Sequence, residues 1–359
     1  MFAIAGDGEM AEESGPLFPA DYLEQLTTRV LVGLGAAPAQ ARVVATSLVL
    51  SNLVGHDSHG VIRLLQYSSF IDRGQVKPTE CAEVARRRGA VAAVDGRWGF
   101  GQPAAQLAAR LAIDISAASG VAAVTIDRCN HVGRLGEYVA AMAGAGKVGM
   151  AWCNSGPVVA PFGGAGRVMG TNPLAWAVPR AGGPEIVVDF ATSSVAEGKL
   201  VLARAAGQAV APGLIIDAAG RATTDPSDFY DGGALLPFGG HKGSGLSVMI
   251  ELAGGVLSGM GASPMPDYSG GNGTVFVALD IDAFMPLPEY LEKAARFRAE
   301  AKSKGAGPLD AEVLMPGEVE DRARAVRMSE GIPVPDEVRR RISDLAAKVG
   351  VDLGHFAVS

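Results

Sequence analysis

Apolar residues recur every three to four positions through four stretches of the first 120 residues: ADYLEQLTTRVLVGLG, APAQARVVATSLVLSNLVG, GVIRLLQYSSFIDR and PAAQLAARLAIDISAASG. That spacing predicts amphipathic helices, the second closed by Gly55. A short apolar run at Val91 to Val94 reads as a strand. From residue 121 the pattern changes to β-like runs, VAAVTID, VGMAWCN, PLAWAVP, EIVVDF and TVFVALDI, alternating with the helical runs LGEYVAAMAGAG and SGLSVMIELAGGVLSG. After Phe284 the chain is helical again in LPEYLEKAARFRAEAKSK, VEDRARAVRM and PDEVRRRISDLAAKV. The expected organisation is an α/β domain over 121–284, inserted into a mainly helical domain made of 1–120 and 285–359.

Between the second and third helical runs lies Gly55-His56-Asp57-Ser58-His59-Gly60-Val61-Ile62-Arg63. It places a hydroxyl, two imidazoles, a carboxyl and a guanidinium at one turn, where side chains can face a cleft. Arg63 falls in the first turn of the next helix, an unfavourable place for a cation that a bound anion would relieve. Other readings stay open. Ser58 can cap that helix. His56 and His59 can chelate a metal, although no second histidine pair stands at ligand spacing and no metal is expected. An acyl-transfer nucleophile is disfavoured, because the position two before Ser58 is His56 instead of glycine.

Composition narrows the class. The 359 residues are enough for one large or two ordinary domains, with 48% hydrophobic against 19% charged residues. No apolar run reaches the roughly 18 residues of a membrane span, so a soluble protein without a membrane partner is expected. MFAIAGDGEMAEESG carries acids where a secretory signal has a basic start. Cys81, Cys129 and Cys153 share no metal or redox spacing and read as small core residues in a reducing compartment, hence the cytoplasm. A net charge of -7 argues against a nucleic-acid partner, and Arg86-Arg87-Arg88 reads as a solvated face. Gly144 to Gly149 fits G-x-G-x-x-G by letters, but it follows a helix and precedes a strand. It is therefore read as a helix stop, not a Rossmann site.

Five further polar clusters stand at strand or helix ends: Asn130 to Arg134, Asn154-Ser155-Gly156, Gly170 to Pro173, Asp189 to Ser193, and Gly239 to Gly245. The last opens an apolar helix, where amides, a helix N-terminus and Lys242 together suit a phosphate. Each alone is compatible with turn chemistry. Five in one domain are not.

Together these residues resemble the malate/L-lactate dehydrogenase family of the non-Rossmann kind. That family includes sulfolactate, ureidoglycolate and hydroxycarboxylate dehydrogenases and cyclic-imine 2-carboxylate reductases. The resemblance rests on GHDSHGVIRLLQY, DGRWGFGQ, NHVGRLGEY, VAPFGG with GTNPLAWAVP, VVDFATSSVAEGK, TTDP, GGHKGSGL, and MPGE with GIPV, in that order over nearly the whole chain. NHVGRLGEY is most similar to the hydroxycarboxylate dehydrogenase B branch. The resemblance implies an α/β, L-sulfolactate dehydrogenase-like fold with a mixed, largely antiparallel sheet in the cofactor domain. It also implies a homodimer, NAD or NADP with NAD taken first, a small 2-oxo or 2-hydroxy acid substrate, and an active site in the cleft between domains. By the same resemblance Ser58, His59 and Asp189 match a proton relay, His131 an acid/base, and Arg63 a carboxylate-binding arginine. Arg134, Ser155, Asp189, Phe190, Ala191, His241, Lys242 and Gly243 match cofactor contacts. One departure is Thr274, where many members carry histidine, which touches a contact at the substrate rim.

The implied chemistry suits the residues. Reducing a 2-oxo acid takes a hydride from the nicotinamide, a proton for the carbonyl oxygen and a cation to hold the carboxylate. Histidine, with an ordinary pKa of about 6.5, is the natural donor. Asp189 on its far ring nitrogen would fix the tautomer, and an arginine can hold a carboxylate through two parallel hydrogen bonds. A cyclic-imine or ketimine reductase is the alternative on the same fold. A metal-dependent hydrolase using His56 and His59 and a non-catalytic ligand-binding protein are the alternatives from other classes.

Overall fold

The computed structural model describes residues 15–205, 207–268, 270–305 and 312–356. The reading of the acidic N-terminus lies, but for Gly15, outside the described residues. In chain order the first elements are β1 (Leu17–Phe18), α1 (Ala20–Gly33), α2 (Pro38–Leu53), α3 (Arg63–Asp72), β2 (Glu83–Arg88), β3 (Val91–Asp95), α4 (Gly101–Ser119) and β4 (Val121–Asp127). There follow α5 (Gly136–Gly144), β5 (Lys147–Cys153), β6 (Leu174–Val178), β7 (Ile186–Phe190), α6 (Glu197–Ala205), β8 (Ile215–Ile216), β9 (Ala222–Thr223), α7 (Pro226–Tyr230) and β10 (Ala234–Leu235). The last are α8 (His241–Ile250), which runs into a π-helical stretch Glu251–Val256, then β11 (Thr274–Asp280), α9 (Leu287–Gly305), α10 (Glu318–Glu330), β12 (Ile332–Pro333) and α11 (Asp336–Lys348).

The chain forms two units, one taking it up to Gly74 and again from Glu320, the other Gln75–Val319. In the first unit α1 buries Leu23, Leu26, Val30 and Leu31, and α2 starts on Pro38, whose missing N–H costs nothing at a helix's first position. β1 and β12 pair antiparallel, Phe18 with Ile332, which joins the two ends of the sequence in one body.

The second unit holds a seven-stranded sheet in the order β2-β3-β4-β11-β5-β6-β7. Only β3 and β4 run parallel. This is the mixed, largely antiparallel sheet the resemblance implied. The unit begins and ends elsewhere than 121 and 284, for two reasons. β2, β3 and α4 belong to its sheet and core, where α4 lays the stripe Ala104, Ala105, Ala108, Ala109 and Ala112 among the buried residues of β4, β5 and β11. α9 joins it because Arg298 and Lys302 bind Glu318. β2 went unread because all six of its residues are exposed at the sheet edge, so no apolar alternation marks it. Its three arginines are solvated, and charge on an open edge discourages pairing with other chains. β8, β9 and β10 form a small sheet over a separate core of Val159, Leu200, Ile215, Phe229 and Leu235.

Strand direction gathers the loops. β11 lies antiparallel between β4 and β5, β6 and β7 alternate onward, and β3 parallels β4. The C-terminal ends of β3, β4, β5 and β7 therefore share one sheet end with the N-terminal ends of β6 and β11. Asp95 pairs with Asp127, Thr274 with Ile126 and Cys153, and Leu174 with Trp152 and Phe190. By contrast the G-x-G-x-x-G letters sit at the opposite end. α5 stops at Gly144, Gly146 takes φ +77° and β5 begins at Lys147, so the segment is a helix stop.

The cysteines divide. Cys129 and Cys153 are buried as expected, but Cys81 is exposed, because it lies in the loop leading to the solvated strand β2. Burial pushes the Cys153 thiol up to about 12 and raises Cys129 as well. A thiol-disulfide reagent at pH 8 should therefore titrate Cys81 alone in the folded protein and all three thiols in denaturant. Rapid labelling of Cys153 before unfolding contradicts this packing.

Candidate active site

The densest polar segment forms a 3-10 turn, Asp57–His59, between α2 and α3. Ser58 Oγ lies 3.0 Å from His59 Nδ1. It does not cap α3, which has Ile62 at its N-cap and no side-chain cap. Arg63 is the first residue of α3, its Nε donating to the Ser58 carbonyl (2.6 Å) and its Nη1 to Gln66 Oε1 (2.8 Å). The guanidinium is thus braced by the same backbone that carries the Ser58 and His59 pair. His56 turns to Glu320 (3.2 Å), so the two imidazoles face different partners instead of a common ion. Among the described residues no group of three or more His, Cys, Asp or Glu is placed to hold a metal.

Two residues that sequence reasoning missed fix this turn. Asn52 Nδ2 donates to Asp57 Oδ1 (2.5 Å), its Oδ1 accepts the Val61 amide (2.9 Å), and a Cβ on Gly60 would collide with it. Arg327, from α10, donates to Asp57 Oδ1 (2.8 Å) and to the Asn52 carbonyl (2.5 Å). Both Asn52 and Arg327 are buried.

The remaining candidates belong to the second unit and its gathered sheet end. Asn130, after β4, donates to the carbonyls of Trp98 and Gly99 (2.9 Å each) and Gln75 (3.1 Å). This explains DGRWGFGQ, whose Arg97 and Trp98 accept positive φ to present those carbonyls. Gly101 opens α4 against the backbone carbonyls of Asn130 and His131, leaving no room for a Cβ. Partly buried His131 is therefore placed by the backbone approach on one side and Asn130 on the other.

Asp189, near the end of β7, accepts the Gly136 amide at the start of α5 (2.6 Å), where the helix dipole favours a carboxylate, and lies 3.9 Å from Arg134 Nη1. Arg134 Nε is buried without a hydrogen-bond partner. Backbone bonds then link the other cofactor candidates. The Ser155 amide meets Asn172 Oδ1 (3.1 Å), the Thr192 amide the Thr171 carbonyl (2.8 Å), and the Phe238 amide the Thr192 carbonyl (3.0 Å). So Ser155, the Asp189–Phe190–Ala191 segment and the His241–Lys242–Gly243 turn sit on one connected set of loops. Phe190 stands edge-on to Phe238 and His241 edge-on to Phe162, all at a partly open surface.

The Gly239 to Gly245 loop differs from expectation in one respect. The amides of Gly240, Lys242 and Gly243 are spent on the carbonyls of Pro237, Gly239 and Phe238. Gly243 is required because a Cβ there would lie 2.5 Å from the Phe238 carbonyl and 2.7 Å from that of Thr192. What the turn offers to solvent is mainly the exposed side chains of His241 and Lys242 at the N-terminus of α8. Lys242, the exposed rings and the unsatisfied Arg134 Nε fit an anionic cofactor with flat rings. Thr274 is fully buried at the head of β11, where its hydroxyl donates to the Asn272 carbonyl (3.0 Å), because that strand runs through the middle of the sheet.

Residues 18–343 match the family model described as malate/L-lactate dehydrogenase. Malate dehydrogenase of Pyrococcus horikoshii is 36% identical, covering 93% of this chain and 96% of that protein. Hydroxycarboxylate dehydrogenase B of Escherichia coli is 33% identical over 94% and 96%, and Delta(1)-pyrroline-2-carboxylate reductase 2 of Burkholderia multivorans 35% over 88% and 93%. The solved structure of the Pyrococcus horikoshii malate dehydrogenase superposes with a TM-score of 0.86 at 34% identity, over 95% of this chain and 97% of that one. Sulfolactate dehydrogenase from Methanocaldococcus jannaschii gives 0.84 at 28% identity, over 95% and 99%.

Replacing Arg327 with Met removes two donors and leaves Asp57 facing a buried gap. The expected loss is ~10- to 100-fold in kcat/KM for the acid substrate, with little change in dinucleotide affinity. Steady-state kinetics beside a thermal melt check it. Unchanged kinetics in a folded variant would mean that the turn needs no anchor from α10.

Proposed function

The chain belongs to the malate/L-lactate dehydrogenase family, and from that premise we propose how its residues divide the work of the reaction. It is an oxidoreductase that moves a hydride to or from C2 of a small 2-hydroxy or 2-oxo acid. The hydride is supplied or taken up by a nicotinamide dinucleotide, for which Ser155, Asp189, Phe190, Ala191, His241, Lys242, Gly243 and Arg134 are the proposed contacts. NAD is the first candidate and NADP the second.

The observation that carries the residue assignment is the bracing of Arg63 by the Ser58 carbonyl beside the Ser58–His59 pair. A cation for the substrate carboxylate and an imidazole for proton traffic thus share one rigid turn, so their spacing is set by backbone. Arg63 holds the carboxylate, His131 delivers the proton to the reacting oxygen, and Ser58, His59 and Asp189 form the supporting relay. An imine nitrogen can replace the oxygen in the same arrangement, which makes cyclic-imine reduction the second reading. The proposal extends to a cytoplasmic homodimer. Free cysteines support the reducing compartment, and the exposed apolar residues Leu246, Met249, Leu252, Val256 and Leu257 on one helical stretch support self-association. Among the described residues no helix is long and apolar enough to cross a membrane.

The direct test follows oxidation of NADH and of NADPH with pyruvate, oxaloacetate, hydroxypyruvate, phenylpyruvate and a cyclic imine. Turnover of 2-oxo acids is expected. Turnover of the imine alone moves the enzyme to the second reading, and no turnover with either dinucleotide sinks both.

Arg63→Met should lower kcat/KM for the acid by on the order of a hundredfold while leaving dinucleotide affinity in place. A loss confined to dinucleotide binding makes Arg63 a cofactor residue instead. For the proton, His131→Asn should cost roughly 10²- to 10⁴-fold in kcat and remove the matching ionisation from the pH-rate profile, whereas His59→Asn should cost less and keep it. The reverse pattern assigns the proton to His59.

A further inference from the structure

Glu251 opens the π-helical stretch that follows α8 and is 4% exposed. Its carboxyl accepts five hydrogen bonds. Oε1 takes the Gly170 amide (3.3 Å), Asn172 Nδ2 (2.9 Å) and the Ser263 hydroxyl (2.8 Å), and Oε2 takes Asn154 Nδ2 (2.9 Å) and the Ser263 amide (2.9 Å). No lysine, arginine or histidine is among these donors. The group is satisfied by neutral donors from two separate loops: both ends of the one joining β5 to β6, and the one following the π-helical stretch.

Two of these donors also grip Ser155. Asn172 Oδ1 accepts the Ser155 amide (3.1 Å), and the Ser263 hydroxyl stands 2.5 Å from the Ser155 carbonyl. That hydroxyl has one proton between two acceptors, Glu251 and Ser155, so moving either oxygen moves the other's bond. Asn172 holds φ +36°, a conformation costly for a side chain other than glycine. Its amide nitrogen is pinned by Glu251 and by the Ser247 hydroxyl (2.8 Å). The π-helical turn also comes unusually near its neighbours, since a Cβ on Gly255 would overlap the Gly261 carbonyl and the Asn154 amide group. An extra residue in a helical turn is a common way to aim one side chain, at some cost in helix stability.

We infer that Glu251 is a positioning residue for the cofactor side of the site. It fixes the Ser155 backbone at its amide through Asn172 and at its carbonyl through Ser263, while contacting no reacting group itself. The inference rests on the assignment of Ser155 as a cofactor contact.

Glu251→Gln tests it. The change keeps shape but sets an NH2 against N–H donors on one side of the carboxyl, whichever way the amide turns. Ser263→Ala is the milder companion, removing only the shared hydroxyl, and carries the test if Glu251→Gln fails to fold. Binding of NADH and NADPH is followed by fluorescence titration, with KM and kcat for the best 2-oxo acid and a thermal melt alongside. Glu251→Gln should raise the dinucleotide Kd and KM on the order of tenfold or more, and Ser263→Ala less, with kcat at saturating dinucleotide and KM for the acid within about threefold of wild type. A variant with a lowered melting temperature but dinucleotide Kd within about twofold of wild type overturns the inference, because Glu251 is then only a structural hub. Ser155→Ala separates the two claims. If it leaves dinucleotide affinity unchanged, the Ser155 assignment has failed. If it weakens binding while Glu251→Gln and Ser263→Ala do not, the assignment stands and Glu251 has failed.

Discussion

The antiparallel entry of β11 between β4 and β5 is the constraint on which the placement of the second unit's candidate residues depends. Residues 274–280 arrive late in the sequence and take the middle of the sheet, so two strands that are neighbours in sequence are held one strand apart. Alternation of direction then leaves no choice about where the loops go. Those after β3, β4, β5 and β7 and those before β6 and β11 all open at one end. A doubly wound parallel sheet also places its ligand loops at strand C-termini, but there every such loop leaves a strand. Here the β5–β6 loop leaves one strand and enters the next, and the loop before β11 enters one, so residues that precede a strand, such as Asn172 and Asn272, stand beside residues that follow one, such as Asn154 and His131.

Gathering five loops creates a problem of satisfaction, since each brings backbone groups that no ladder pairs. Asparagine side chains answer it repeatedly. Asn130 donates to three carbonyls, Asn154 and Asn172 bridge the β5, β6 and π-helical segments, and Asn272 donates to the Asn154 carbonyl (2.8 Å) while accepting the Val132 amide (3.2 Å). Each has both a donor and an acceptor on one short arm, which suits bridging an amide and a carbonyl on adjacent loops. The residues assigned to chemistry, His131 and Ser155, are neighbours in sequence of these asparagines. Their placement follows from polar satisfaction of the backbone more than from packing of their own side chains.

Much of this was legible because burial writes itself into hydrophobic period. The long helices and six of the seven strands of the large sheet, all but β2, were legible as apolar runs. The edge strand β2 was not, since an exposed strand has no apolar face to announce it, and two-residue strands such as β8 and β9 are too short for a period. The turn at Ser58, His59 and Arg63 was visible as a concentration of polar chemistry. Its anchor Arg327 was hidden, because VEDRARAVRM reads as a solvated helix and the bond to Asn52 spans 275 residues of sequence. Glu251 did leave a signal: it is the one carboxyl within the apolar run SGLSVMIELAGGVLSG, followed closely by a Gly-Gly pair. A lone acid in such a run needs partners, and a glycine pair marks where another backbone comes close.

The glycines of the candidate site carry a related lesson. A glycine-rich loop at a helix start is commonly a cradle of free amides for phosphate. In this protein the amides of the Gly239 to Gly245 loop are largely consumed by its own carbonyls, and Gly243 is small because two backbone carbonyls press on it. Gly101 beside His131 and Gly255 beside Asn154 do the same at other points of the sheet end. Glycine here lets one backbone come against another. What this loop presents to solvent is then the side chains of His241 and Lys242 instead of a cradle of amides.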